Sequence, residues 1–279
     1  MRIDPKEIRR SVIAGSWYPG SADELRQTID GFLGNVPEGK VAGELIGLIA
    51  PHAGYIYSGQ VAAYAYKQLE DMSFKKVVIV SPVHQFYPGR YIVTTKRYYQ
   101  TPLGLVEVDA QTVEAIGQEV SLSRVDQDNE HSLEIQLPFL QRVLGDFKLV
   151  PIMLGDQALS TCQALSEALA GAIKGENALL VATTDLSHYH DYDTAVRMDK
   201  VVLKHVEAFD PEGLARDLAA GRCEACGGGP VIAAMLTAKA LGADKAEALE
   251  YVNSGDVTGD RWRVVGYMAG ALYRGYPAD

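Results

Sequence analysis

Four stretches of this chain, at 45–50, 77–80, 149–154 and 179–181, are almost unbroken runs of Val, Ile, Leu and other apolar residues. A strand with one wet face alternates apolar and polar residues. A run apolar at every position has both faces covered, as in the buried strands of a layered α/β sheet. Helical patterns separate the runs. Ser21 and Glu24 form a capping box ahead of Leu25, Ile29, Phe32 and Leu33, which predicts a helix over 22–33. Val61, Ala62, Ala65 and Leu69 mark a second, and further helices are predicted over 158–173, 194–209, 211–220 and, opened by Pro230, 231–240. Leu133, Leu137, Leu140 and Leu144 predict one helix that Pro138 kinks or restarts. Strands are expected over 91–96 and 105–108, around a turn at 101–104, and over 248–253 and 263–267. Such alternation argues for an α/β fold: a single layered domain over 1–279, with a central mixed β-sheet and helices on both faces.

Composition excludes several classes. With 279 residues and 47% hydrophobic content, the chain can bury a substantial core, and the Gly/Pro-rich 34–43 stretch is too short and too early to separate two. A net charge of −10 without any block of Lys or Arg argues against nucleic acid and anionic membranes as partners. The charged start lacks the apolar core of a signal peptide, and no stretch approaches a membrane span, so a cytoplasmic protein is expected. Three cysteines, Cys162, Cys223 and Cys226, are too few for a disulfide framework.

Three of the six histidines sit just past short apolar runs: His52 in PHAGY, His84 in SPVH and His188 in TTDLSHYH. In open α/β sheets ligands bind beyond the carboxyl ends of the strands, so such residues can converge. One crossover helix joins the strands before His52 and His84, which predicts adjacent strands and two imidazoles able to serve a divalent metal. Asp185 and His188, three residues apart, would share a face if a turn or helix comes next, the carboxylate fixing the tautomer of an imidazole that acts as general base or proton shuttle. His190 reads as an exposed residue.

Cys226 precedes Gly227, Gly228, Gly229 and Pro230. Glycines at a helix N-terminus let backbone N–H groups face one point, a field that lowers a thiol's pKa. A zinc pair with Cys223 lacks a second CxxC, and the glycines lack the Lys-Ser/Thr of a nucleotide P-loop. Glu130 and Glu134 around His131 read equally as a functional cluster and as a solvated helix start. Trp17 to Pro19 and Tyr55 to Tyr57 are candidate pocket walls.

Taken in order, AGSWYPG, PHAGYIYSG, SPVH, NEHSLEIQLPFL, TTDLSHYH, CGGGP and SGDVTGDRWRVVGY resemble the Memo family, of the AmmeMemoRadiSam system protein B type, over essentially the whole chain. That family is similar to the class III extradiol ring-cleavage dioxygenases, which use non-haem iron(II). The resemblance implies an iron(II) site, with copper or zinc as rivals, at His52, His84 and Cys226, with His188 and Asp185 close by. It also implies association with radical-SAM and AMMECR-type proteins. Where the dioxygenases place a carboxylate, this chain places a thiol, a softer and oxidisable donor.

Two functions are compatible with these residues. One is a metal-dependent oxidoreductase acting on a small organic substrate, with His188, Asp185 or His131 moving protons. The other is a metal- or peptide-binding module that kept the dioxygenase fold without ring cleavage.

Overall fold

The computed structural model describes residues 3–276. Its strands are β1 (Ile8–Arg9), β2 (Gly43–Ala50), β3 (Lys76–Pro82), β4 (Tyr91–Thr94), β5 (Tyr98–Thr101), β6 (Gly104–Val108), β7 (Leu122–Val125), β8 (Lys148–Leu154), β9 (Ala178–Thr183), β10 (Asp185–His190), β11 (Lys245–Asn253) and β12 (Val264–Gly275). All belong to one sheet whose main path runs β1-β5-β6-β8-β3-β9-β2-β12-β10, with β11 on β12 and with β4 pairing both β7 and β8. The centre, β6-β8-β3-β9-β2, is parallel. Beyond it β12 runs antiparallel to β2, and β10 and β11 antiparallel to β12, so the sheet is mixed.

The four apolar runs are β2, β3, β8 and β9, side by side at the centre, where helices cover them. Helix Tyr55–Lys67 packs on β2 and β12, with Ala22–Gly34 outside it; Gly228–Ala240 packs on β9, β3 and β2 beside Leu159–Ile173. Gly228–Ala240 has buried residues along nearly its whole length, as a helix enclosed on all sides must. Ala22–Gly34 is the amphipathic case: Ser21 Oγ accepts from Glu24 N, and Leu25, Ile29 and Leu33 face inward. Each such fully buried side chain contributes about 1.5–3 kcal/mol. No helix among the described residues is long and apolar enough to cross a membrane.

One local expectation is decided and two are corrected. The run from Leu133 is two helices, His131–Glu134 and Leu137–Leu144: Pro138 restarts the helix rather than kinking it, because a residue lacking an N–H starts a helix more readily than it continues one. The segment after β9 is strand β10, not a turn into a helix, because antiparallel β12 offers it a ladder. The strands before His52 and His84 are not adjacent, since β9 lies between β2 and β3 and pairs with both. Chain neighbours pair only when no later strand fits better between them.

Candidate metal centre

Strands β2, β9 and β3 end side by side, and the residues just beyond their ends converge on one point. Pro51 and His52 leave β2, Thr184 and Asp185 leave β9, and Val83 and His84 leave β3. His131 arrives from the start of its short helix. One ring nitrogen each of His52, His84 and His131 lies within 4.8 Å of the other two, a spacing at which three donors can hold one ion. His131, expected on sequence grounds to move protons, therefore stands among the candidate ligands.

Glu130 organises two of them. Its Oε1 accepts from His84 Nδ1 at 2.9 Å and lies 3.3 Å from His131 Nδ1, while Oε2 accepts from the His84 backbone N–H at 2.6 Å. Burial pushes the carboxyl's pKa up, but hydrogen bonds from His84 and from Ser132 N–H outweigh it and hold the pKa at about 2. With Nδ1 of His84 bonded to this carboxylate and Nδ1 of His131 facing it, Nε2 is the nitrogen left for a metal in both rings. Burial and the neighbouring His84 lower His131 to about 4 against the pull of Glu130, so at neutral pH its nitrogen carries a lone pair and no proton.

His52 is set in the same way by another partner. Its Nδ1 meets Thr183 Oγ1 at 2.9 Å, and Gln136 Nε2 donates to the same hydroxyl at 2.8 Å. That hydroxyl oxygen has two lone pairs, so it can accept from Gln136 and from His52 Nδ1–H together, which leaves the lone pair of the ring on Nε2. Burial, then the charges His84, His131 and His188 would carry, lowers the His52 pKa well below the usual range. Its Nε2 lies 3.0 Å from Cys226 Sγ and 4.0 Å from Asp185 Oδ2. Cys226 thus stands on the His52 side of the cluster.

The thiol is not activated as its glycines predict. Burial pushes its pKa up, and the nearby Asp185 adds to that. The backbone N–H groups of Asp185 and Gly227 favour the thiolate without outweighing burial, and the helix amides have other partners as well: Gly227 N–H donates to Thr184 Oγ1 at 3.0 Å and Gly229 N–H to Gln157 Oε1 at 2.7 Å. The glycines serve close packing, since a Cβ on Gly229 would lie 2.7 Å from Gln157 Cβ.

The expected Asp185–His188 pair does not form. Asp185 Oδ1 accepts from His52 N–H at 2.8 Å, and burial raises its carboxyl to about 7 against that bond. His188 Nδ1 instead donates to Leu186 O at 2.7 Å, a tautomer that leaves Nε2 as acceptor. Burial lowers the pKa of His188. Along strand β10, Asp185 and His188 are too extended to bond each other. Both line one cleft of about 560 Å³ with the three clustered histidines, Trp17 and Tyr57. Trp17 packs on His131, ring centroids 4.3 Å apart. Tyr18 and Tyr55, from the same aromatic motifs, belong to the core. His190 Nε2 lies 3.0 Å from both oxygens of Glu224.

Behind Glu130 is a buried polar network that no sequence motif announces. Arg9 Nη1 bonds Glu134 Oε2, Nη2 donates to Glu130 O at 2.6 Å, and Nε lies 3.6 Å from Asp128 Oδ2. Asp128 Oδ1 accepts from Glu130 N–H at 2.9 Å, and Glu134 Oε1 accepts from Tyr18 at 2.6 Å and Ser11 at 2.5 Å. Glu130 is held by its carbonyl, its amide and its carboxylate, so its oxygens have no freedom to leave the imidazoles.

Comparison with known proteins agrees with this architecture. The family profile described as "Memo-like protein" matches residues 9–271. A MEMO1 family protein of Nitrosopumilus maritimus is 36% identical over 271 residues, 94% of this chain and 98% of the relative. One from Methanopyrus kandleri is 36% identical over 283 residues, 96% of this chain and 99% of the relative. The crystal structure of an uncharacterized protein from Escherichia coli K12 shares the fold at a TM-score of 0.50, covering 82% of this chain and 100% of that one at 12% identity.

Proposed function

Because this chain belongs to the Memo-like family, we propose that it is a metal-binding protein whose three-histidine cluster holds iron(II) at the floor of a substrate cleft and supports redox chemistry on a small organic molecule. The observation that carries this reading is the common dress of the three imidazoles. Nδ1 of His84 is bonded to Glu130 and that of His52 to Thr183, Nδ1 of His131 lies 3.3 Å from the same Glu130 oxygen, and each ring is within reach of the other two. Such outer partners orient ligating histidines and raise their basicity toward a metal. The donor set fits a divalent ion, and protein donors on one side of a cleft leave positions open, as non-haem iron and catalytic zinc sites require. When bound, the ion would supply Lewis acidity and one-electron redox capacity.

The chain's own residues would do the rest. His188 presents an unprotonated Nε2 to the cleft and would take a proton from a substrate hydroxyl. Asp185, with its pKa raised to about 7, would hold or release one near neutrality. Trp17 and Tyr57 wall the cleft and would exclude water from a flat ligand. Three free thiols suit a reducing compartment, so we assign the protein to the cytoplasm. Radical-SAM and AMMECR-type partners belong to the same reading and would co-purify.

A second reading, a metal- or peptide-binding module without turnover, is favoured by Cys226. A thiol 3.0 Å from His52 Nε2 could join as a further, soft ligand and favour zinc or copper(I). The test is anaerobic titration of the metal-free chain with iron(II), zinc(II) and copper(I), followed by metal analysis and by the fluorescence of Trp17 in a Trp262→Phe background. Stoichiometric iron(II) binding with a change at Trp17, which packs on His131, is expected. Preference for copper(I) or zinc lost with Cys226→Ser would favour the module, and absence of stoichiometric binding would overturn the metal centre.

A further inference from the structure

A second cavity of about 480 Å³ opens beside the metal cleft, and the two share Tyr57, Tyr189, Val265 and Tyr267 as a common wall. That wall is unusual at Tyr189. β10 and β12 are out of register here: His188 pairs with Val265 and His190 with Val264, leaving Tyr189 as an extra residue in a bulge. Its φ of 62° lies in the left-handed region, which a tyrosine adopts only when the surroundings hold it there. A bulge re-aims side chains. Here Tyr189 is 62% exposed, its ring at the junction of both cavities.

The far side of the second cavity is polar, and nearly all of it is occupied with its own loop. Thr258 Oγ1 donates to Ser254 O at 2.9 Å and accepts from Asp260 N–H at 3.2 Å. Ser254 Oγ accepts from Val265 N–H at 3.0 Å, and Asp260 Oδ1 from Trp262 N–H at 3.0 Å. Arg263 is the exception. Among the described residues its guanidinium makes no hydrogen bond or ion pair, Asp260 included. Its one aromatic contact is the Tyr189 ring, 5.0 Å from the centroid. Contact with the ring face leaves the guanidinium N–H donors available, and such a fork receives a planar or tetrahedral oxyanion through paired bonds. In a chain of net charge −10, the overall field repels anions, so a cation held ready at one point is what could select one.

We propose that the two cavities form one bipartite site for an elongated ligand. A flat ring would lie at the metal end between Tyr57, Tyr189 and Tyr267, and an anionic carboxylate or phosphate tail would pair with Arg263. The proposal rests on the reading of the first cavity as a substrate cleft, and it names the substrate class: ring compounds carrying an acidic arm.

The test uses the full chain without metal, so that it does not depend on turnover. Calorimetry would measure phenylalkanoates of increasing length, the matching phenylalkyl alcohols and phosphate monoesters, and ringless alkanoates. Binding of the acids about tenfold tighter than the alcohols is expected, the worth of one charge-assisted pair. In Arg263→Gln that preference disappears while the alcohols bind as before; Arg263→Lys restores part of it. Whichever of the carboxylates and phosphates binds tighter names the tail. Equal binding of acids and alcohols, or equal weakening of both by Arg263→Gln, would overturn the anionic arm. Ringless acids binding as tightly would overturn the ring end. Iron(II) titration of both proteins separates the two readings. Arg263-dependent acid binding without stoichiometric metal removes the metal centre and keeps this site, and the converse removes this site and keeps the metal centre.

Discussion

Glu130 and His84 are joined twice, side chain to side chain at 2.9 Å and carboxylate to backbone amide at 2.6 Å. The double attachment fixes both the orientation of the imidazole and the path of the chain carrying it. Oε1 of the same carboxylate also faces His131 Nδ1, so a single acid sets the donor direction of two rings.

Glu130→Gln should therefore weaken metal binding without removing a ligand. An amide has one acceptor oxygen, which cannot serve both rings and the His84 amide, and its NH₂ group competes for Nδ1. The expected loss is about 10- to 100-fold in affinity, the usual cost of deleting a partner behind a metal-bound histidine. Competition against a chelator checks it, and unchanged affinity would show that the carboxylate is not needed.

His131 and His188 should separate in metal analysis. His131→Ala removes one of the three clustered nitrogens and should abolish stoichiometric binding, as should His52→Ala or His84→Ala. His188→Ala should retain the ion, because its Nδ1 is tied to Leu186 O and its ring is outside the cluster; once a substrate is found, its turnover should fall by ~10² or more. Retention of full-affinity metal by His131→Ala would return that residue to a proton-handling role.

Gly227→Ala is expected to destabilise the fold by about 1–3 kcal/mol, the range for forcing extra volume into a packed interior. The added Cβ would fall on the Thr183 carbonyl oxygen and 2.8 Å from Thr184 Cβ, which is the end of β9 and cannot give way cheaply. Because Cys226 precedes it and Thr183 positions His52, metal affinity should drop along with the melting temperature. Thermal melts and chelator competition on one preparation would read both.

Asp217 offers a pH test away from the cleft. Hydrogen bonds from Arg222 and His205 hold its carboxyl at about 2, below the usual carboxylate range. A depressed carboxyl stabilises the fold above the unfolded pKa, ~3.9, and that contribution is lost as pH falls toward about 2. The gap in melting temperature between wild type and Asp217→Asn should stay constant from neutral pH down to ~5 and narrow below ~4. A gap that widened on acidification would contradict the assignment.

Much of this was legible from one dimension. β2, β3, β8 and β9 announce themselves because strands covered on both faces leave no polar residue to confuse the pattern, and His52 and His84 stand out because each sits just past such a run. The order of the strands was not legible, since nothing local tells β9 to insert between β2 and β3. Glu130 was visible only as a carboxylate beside a histidine; its bond to His84 spans 46 residues. For Cys226, the glycines pointed to a helix N-terminus, but Thr184 and Gln157, which absorb its amides, lie far away in sequence. Asp185 failed as partner of His188 because the segment became a strand, and the ladder that made it one belongs to β12.

The buried tie between Arg9 and Glu134 joins residues 125 positions apart. At ordinary rates of synthesis that separation is a wait on the order of ten seconds between the two partners leaving the ribosome. In the later part of that interval His52 and His84 already exist, while His131, Glu130 and the arginine's anchor do not. An ion arriving then meets two of the three histidines, so loading of the finished site belongs to the closing stage of folding, when the first strand and the middle of the chain find each other.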